Sequence, residues 1–192
     1  MHPRALSDDV AVGEMPARDE FAILAKAGFR SLLIVQPDGE VARLIGSAEA
    51  GTAAAAVGLA YAYAPAESRR LTDAQTAAFA KALAEMPRPI YACCYSGARA
   101  AAAWALAMAP QLAPAAIAEA CGAAGFDVTS LKQDIERRHA GVSTPAVIVP
   151  PAARPVMPQA AALTISAPAA AVAAEKIIFP RAAGAGGFAV SG

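Results

Sequence analysis

The stretch Tyr91-Ala-Cys-Cys-Tyr-Ser-Gly-Ala-Arg99 decides the fold, because a short apolar run passes through two cysteines and a glycine into an alanine-rich segment. The run from Ile90 to Cys93 predicts a strand, and the alanines that follow Arg99 predict a helix. Where a helix begins, the first backbone N–H groups have no intrahelical partner. Such groups bind anions and favour the thiolate form of a nearby cysteine.

This arrangement predicts a cysteine nucleophile at the floor of an anion-binding loop. Cys93 and Cys94 are both candidates for the nucleophile, and the planar guanidinium of Arg99 is expected to bind the anion. The residues expected to surround the substrate are Tyr95, Ser96, Gly97 and Ala98. The alternative is that both cysteines are small apolar residues at a buried strand end and that Arg99 is a solvated helix residue.

Length and charge restrict the function classes. The 192 residues predict one domain with some additional chain, and 57% of them are apolar. Many of these are alanines, so the core depends on larger side chains such as Phe79, Leu83 and Trp104. Sixteen acidic and sixteen basic side chains cancel, so no broad field favours nucleic acid or an anionic membrane as a partner.

Cysteine usage and hydropathy indicate a soluble cytoplasmic protein. Three cysteines, two of them adjacent, do not form a disulfide framework, which indicates a reducing compartment. The first nine residues are too polar for a signal peptide. The uncharged runs 100–118 and 155–174 are mostly alanine interrupted by proline, and are too weakly apolar to span a membrane. Two histidines and three cysteines lack paired spacing, so we expect no metal and no cofactor.

Strand and helix patterns alternate along the first 140 residues, which predicts an α/β fold with a mostly parallel sheet and helices on both faces. The expected strands are 9–12, 29–35, 59–63 and 90–93, and the expected helices are 17–27, 47–57, 72–85, 99–109, 115–124 and 130–139. Thr72 and Gln75 predict a capping box. Asp38 is expected to bond its own backbone in a turn. Ligands of such sheets bind beyond the carboxyl ends of the strands, where Cys94 falls.

The composition changes after Gly141, where prolines stand among alanine, valine and serine with almost no charge. We therefore expect a domain over residues 1–140 and a disordered Ala/Pro-rich linker over 141–174.

Five ordered motifs carry a resemblance to a known family. They are Ala25-Lys-Ala-Gly-Phe-Arg-Ser-Leu32, Pro37-Asp-Gly-Glu40, Leu71-Thr-Asp-Ala-Gln75, Cys94-Tyr-Ser-Gly-Ala-Arg99 and Trp104-Ala-Leu106. Over roughly residues 3–140 the chain resembles the protein-tyrosine-phosphatase-like domain of beta-lactamase-hydrolase-like proteins, a family also described as sulfurtransferases.

The resemblance implies a tyrosine/dual-specificity-phosphatase-like fold in which Cys94 is the nucleophile and Arg99 binds the anion. Two positions depart from the family's loop. A basic residue usually follows the cysteine, where this chain has Tyr95, and a hydroxyl residue usually follows the arginine, where it has Ala100. Both departures remove groups that favour an anion or a thiolate.

Residues 175–192 add a second resemblance. Some relatives carry an FAD- and NAD(P)-dependent disulfide oxidoreductase after this domain, and Gly184-Ala-Gly-Gly-Phe-Ala189 is similar to a dinucleotide-binding fingerprint. With no helix or second strand after it, this segment is expected to be a truncated stub that holds no dinucleotide, or else a glycine-rich tail. An oxidoreductase of that type is a possible redox partner.

Loop length separates two chemistries. Four residues stand between Cys94 and Arg99, as in rhodaneses, whereas five stand between Cys93 and Arg99, as in tyrosine phosphatases. We expect hydrolysis of a phosphate ester or related anion through a covalent cysteinyl intermediate. The alternatives are a rhodanese-like persulfide sulfurtransferase and a catalytically weak anion-binding or regulatory module. The expected partner is accordingly a small anionic substrate, a phosphoprotein or a persulfide donor.

A phosphatase also needs an acid that protonates the leaving oxygen. Asp73, at the start of a predicted helix, is the first candidate, followed by Glu67 and Asp38. The alternative for Asp73 is that the helix dipole favours an acid in the first turn without any catalytic role. Sulfur transfer needs no such acid.

Overall fold

Five strands form one sheet in the order β1-β2-β5-β3-β4 in the computed structural model of the chain, which describes residues 1–142. The strands are β1 (Arg4–Ser7), β2 (Val10–Glu14), β3 (Ser31–Ile34), β4 (Ala60–Tyr63) and β5 (Ile90–Cys94). β1 is antiparallel to β2, and all other neighbouring strands are parallel. The predicted mostly parallel sheet is therefore confirmed. The stub at 175–192 and the linker beyond residue 142 lie outside the described residues.

Helices cover both faces of this sheet, as predicted. They are α1 (Phe21–Lys26), α2 (Ser47–Ala56), α3 (Asp73–Glu85), α4 (Ala98–Met108), α5 (Pro114–Ala123) and α6 (Lys132–Val142). The predicted capping box is present before α3, because the Gln75 N–H donates to Thr72 Oγ1 and the Thr72 N–H donates to Gln75 Oε1. None of the helices within residues 1–142 is long and apolar enough to cross a membrane.

The structure differs from the sequence-based predictions in three segments. β1 was not predicted, since only Leu6 of its four residues is buried and a single apolar position gives no alternation. α1 begins at Phe21 rather than at residue 17, because the Ala17 N–H donates to the Glu20 carboxylate in a turn before the helix. The Asp38 carboxylate accepts hydrogen bonds from the Ser47 N–H and hydroxyl, both at 2.6 Å, instead of bonding its own backbone.

The core consists of two layers, one on each face of the sheet. Leu33 and Ala92 pack with Phe79 of α3 and Trp104 of α4 in the first layer. The second layer packs the other side chains of the sheet, among them Ile34 and Tyr91, against Phe21 and Leu24 of α1. All five residues of β5 are buried, so successive side chains of this strand enter opposite layers.

The turn between β5 and α4 requires a glycine for two independent reasons. Gly97 has a φ of 82°, in the left-handed region that side chains other than glycine rarely adopt. A Cβ at this position would also lie 3.0 Å from the Gly13 Cα atom of β2 and 3.0 Å from the Phe126 ring. The turn is therefore packed directly onto the neighbouring strand.

We predict that Gly97→Ala lowers the free energy of unfolding by about 1–3 kcal/mol, because backbone strain and the clash with Gly13 add. Gly122→Ala is the matched control, since Gly122 lies in α5 with open space around it. That substitution is expected to leave stability unchanged or raise it by up to about 1 kcal/mol. Urea unfolding followed by circular dichroism measures both. Equal stability of Gly97→Ala and wild type would contradict the strained turn.

Candidate active site

A cavity of about 530 Å³ opens at the carboxyl end of β5. Its lining residues are Glu40, Val41, Arg69, Cys94, Tyr95, Ser96, Ala98 and Arg99. The structure thus brings together the predicted cysteine, most of the predicted loop and the predicted arginine. Gly97 shapes the loop but does not line the cavity.

The two adjacent cysteines lie on opposite faces of the sheet. Cys94 is buried, with 2% of its surface exposed, but it lines the cavity and packs in the layer of α3 and α4. Cys93 is fully buried in the layer of α1 and α2, where its Sγ atom lies 3.7 Å from the Met15 Sδ atom. Burial raises the pKa of the Cys93 thiol well above its ordinary value, so this group stays protonated at neutral pH. The geometry therefore favours Cys94 for chemistry in the cavity.

Arg99 binds a carboxylate through both arms of its guanidinium. Its Nη1 and Nη2 atoms donate to the two Glu40 oxygens at 2.8 and 2.6 Å. Hydrogen bonding to Arg99 lowers the pKa of the Glu40 carboxyl, and the same bond raises the pKa of Arg99. Both groups are therefore charged at neutral pH. Glu40 occupies Arg99 in the way that an oxyanion substrate would.

Two further arginines fix the loop from outside. The Arg4 Nη2 atom donates to the Ser96 carbonyl at 2.8 Å, and its guanidinium lies 3.8 Å above the Phe126 ring centre. The Arg43 Nη2 atom donates to the Tyr95 hydroxyl at 2.8 Å. These contacts hold the loop backbone in place before any ligand binds.

The first turn of α4 provides a positive pole at the cavity. The Ala101 N–H donates to the Gly97 carbonyl, the first intrahelical bond of α4. The N–H groups of Ala98, Arg99 and Ala100 consequently have no intrahelical acceptor. Together with the helix dipole, these groups favour an anion beside Cys94.

None of the three predicted acids lines the cavity. The Asp73 carboxylate accepts a hydrogen bond from Arg138, and its side chain is 83% exposed. Asp38 is bonded to Ser47, and Glu67 is exposed in the loop after β4. The acid function of Asp73 stays a prediction. Among the described residues that line the cavity, Glu40 is the one carboxylate.

Sequence reasoning missed the cavity roles of Glu40 and Arg69. Each residue follows the carboxyl end of a parallel strand by six positions, Glu40 after β3 and Arg69 after β4. Because parallel strands end at the same edge of a sheet, charged residues soon after their ends converge on the ligand site. That rule would have identified both.

Within residues 1–142, no group of three His, Cys, Asp or Glu side chains is arranged to hold a metal ion.

The chain has the fold of tyrosine-phosphatase-like phosphatases. A candidate phosphatase of Neisseria meningitidis Z2491 aligns with a TM-score of 0.63 and 16% identity, over 70% of this chain and 96% of its own. PTPMT1 aligns with a TM-score of 0.54 and 16% identity, over 74% of this chain and 96% of its own. Identities this low show the shared fold alone.

The chain belongs to the family described as the phosphatase-like domain of beta-lactamase hydrolase-like protein, which matches residues 2–110. The beta-lactamase hydrolase-like protein of Agrobacterium fabrum is 28% identical over 139 residues, which make up 71% of this chain and 32% of that protein. The protein of the same name from Xylella fastidiosa Temecula1 is 34% identical over 101 residues, or 53% of this chain and 23% of that protein. This chain therefore spans a third or less of these relatives. The resemblance predicted from the motifs is confirmed, and the matches support a phosphatase-type hydrolase.

We predict that iodoacetamide at about pH 7.5 alkylates Cys94 and spares Cys93 in the folded protein, because Cys93 is buried as a thiol away from the cavity. Peptide mass spectrometry of wild type, Cys93→Ser and Cys94→Ser locates the label. Cys93→Ser should be labelled like wild type, whereas Cys94→Ser should be labelled at the pair only after denaturation. Preferential labelling of Cys93 would contradict the assignment of faces.

A second prediction concerns Glu40. Glu40 and a bound phosphate compete for the same guanidinium of Arg99. Glu40→Gln should therefore increase the affinity for inorganic phosphate by up to about fivefold, the effect expected of a partly exposed ion pair. Isothermal titration calorimetry at neutral pH measures the affinity. Lowering the pH through the lowered pKa of Glu40 protonates this carboxyl and frees Arg99. Acidification should therefore increase phosphate affinity more in wild type than in Glu40→Gln.

The matched control is Glu49→Gln, since Glu49 also pairs with an arginine, Arg18, but does not line the cavity. It should leave phosphate affinity unchanged. Weaker phosphate binding in Glu40→Gln would show that Glu40 positions Arg99 for the anion instead of competing with it.

Proposed function

We propose that this protein is a cysteine-dependent hydrolase that acts on a phosphate ester or a related anion. The observation that carries the proposal is the placement of Cys94 and Arg99 in one cavity at the carboxyl end of the central strand. The start of α4 and the guanidinium both supply positive charge where a phosphoryl group would bind.

The proposed reaction has two steps. The Cys94 thiolate attacks phosphorus, the P–O bond to the alcohol breaks, and the alcohol leaves with a proton supplied by an acid or by water. Water then attacks the phosphocysteine, the P–S bond breaks, and inorganic phosphate and the thiolate are released. Arg99, freed from Glu40, holds two non-bridging oxygens through both steps.

Persulfide transfer is the second candidate, favoured by two observations. Four residues stand between Cys94 and Arg99, and the predicted acid Asp73 does not line the cavity. In this reaction the Cys94 thiolate takes the outer sulfur of thiosulfate and releases sulfite. The resulting persulfide then gives that sulfur to a nucleophile such as cyanide, which restores the thiolate. A redox partner of the disulfide oxidoreductase type is part of this candidate.

Kinetics on purified variants test these proposals. We expect wild type to hydrolyse phenyl phosphate and p-nitrophenyl phosphate, Cys94→Ser to be inactive, and Arg99→Lys to lose about 10²–10³-fold in kcat. Cys93→Ser should stay close to wild type. Thiosulfate with cyanide, assayed in parallel, measures sulfur transfer.

Asp73→Asn tests whether Asp73 is the acid that protonates the leaving oxygen. If Asp73 is the acid, hydrolysis of phenyl phosphate falls by about 10²-fold or more while sulfur transfer is unchanged. The p-nitrophenyl ester should be affected less, because its leaving group needs no proton.

Activity that survives in Cys94→Ser would overturn the proposal. A folded wild-type protein with no turnover in either assay would instead indicate an anion-binding module.

A further inference from the structure

Arg69 reaches the cavity from a different segment than Arg99. It lies in the loop between β4 and α3 and lines the cavity together with Cys94 and Arg99. The Ser68 hydroxyl accepts a hydrogen bond from the Arg70 N–H at 3.2 Å and donates to the Arg70 carbonyl at 3.1 Å. This pair of bonds closes a tight turn around Arg69.

The two arginines that line the cavity differ in their pairing. Arg99 is paired with Glu40, but Arg69 forms no ion pair and no side-chain hydrogen bond with any of residues 1–142. Its field is the last and smallest of the causes that lower the pKa of Asp127, after hydrogen bonds from Thr129. Of the two arginines that line the cavity, Arg99 is therefore paired with a carboxylate and Arg69 is in no salt bridge within residues 1–142.

The size of the cavity exceeds the needs of a single phosphoryl group. Its volume of about 530 Å³ falls within the range of roughly 300–1,000 Å³ that is typical of small-molecule sites. A substrate whose reacting group lies at Cys94 and Arg99 therefore has room to extend along the cavity wall, on which Arg69 lies.

We propose that Arg69 is a specificity-determining residue that binds a second anionic group of the substrate. The inference rests on the proposed function, which places the reacting anion at Arg99. The substrate class is a small molecule with two separate anionic groups, one that reacts at Cys94 and one that pairs with Arg69. The second anionic group is a phosphate or a carboxylate. The same requirement holds whether the substrate is a phosphate ester or a persulfide donor.

Non-hydrolysable phosphonates test the subsite without requiring turnover. Calorimetry on the full chain compares propylphosphonate with ethane-, propane- and butane-α,ω-diphosphonate, whose second anionic group lies at increasing distance. Wild type should bind at least one diphosphonate more tightly than propylphosphonate. Arg69→Gln should reduce that preference by up to about fivefold, as expected for an exposed ion pair, and should leave propylphosphonate affinity unchanged.

Arg70→Gln is the matched control, because Arg70 is the exposed neighbour of Arg69 and does not line the cavity. It should keep the wild-type preference. Equal effects of the two substitutions on every diphosphonate, or no effect of either, would overturn the proposal and make Arg69 an ordinary solvated arginine. Propane-1-phosphonate-3-carboxylate then shows whether a carboxylate replaces the second phosphonate.

Failure of the proposed function gives a different result. Suppose that the protein shows no turnover but prefers a diphosphonate in a manner that depends on Arg69. That result would contradict the proposed hydrolase and support the subsite. Propylphosphonate that binds wild type and Arg99→Lys equally would instead show that the reacting anion does not use Arg99, and the subsite proposal would fail with it.

Discussion

The carboxyl end of β5 is held by backbone hydrogen bonds on both sides, and the position of the groups in the cavity depends on this constraint. The Met15 N–H donates to the Cys94 carbonyl, and the Val35 N–H donates to the Cys93 carbonyl, both at 2.8 Å. Because side chains alternate along a strand held in this way, Cys93 and Cys94 must enter opposite layers. The turn at Gly97 then begins α4 directly beside Cys94, with Arg99 in its first turn.

Positive charge reaches the cavity from several segments of the chain. Tyr95 stands where the resemblance implied a basic residue, and Arg43 approaches it from another segment, with its guanidinium 5.3 Å from the ring centre. Ala100 stands where the resemblance implied a hydroxyl residue, and it is fully buried in the layer of α3 and α4. Positive charge at the cavity thus comes mainly from the helix start, Arg99 and Arg69. Glu40 offsets part of that charge until an anion displaces it.

The sequence predicts those parts of the structure that local interactions determine. The four predicted strands, now β2 to β5, the capping box before α3 and the strand–turn–helix around Cys94 follow from apolar runs, turn residues and spacing. β1 depends on its pairing with β2, and Asp38 depends on Ser47 nine residues away, so neither has a local signal.

The same distinction applies to the site. Cys94, its loop and Arg99 are contiguous, so their spacing in the sequence identifies them. Which of the two adjacent cysteines faces the cavity depends instead on how the helices pack on the sheet. Glu40 and Arg69 lie 54 and 25 positions before Cys94 and reach the cavity through the parallel topology. Order along the chain favours Asp73 as the acid, but its carboxylate accepts a hydrogen bond from Arg138 of α6, a contact that no local pattern predicts.

The proposed hydrolysis requires a covalent bond at the Cys94 sulfur, and this bond can be trapped. Rapid quenching of the protein during turnover of phenyl phosphate, followed by fragmentation mass spectrometry, locates any added group. We expect one phosphoryl group on Cys94, present in Cys93→Ser and absent in Cys94→Ser. A phosphoryl group on Cys93, or turnover of the ester with no adduct on either cysteine, would contradict it.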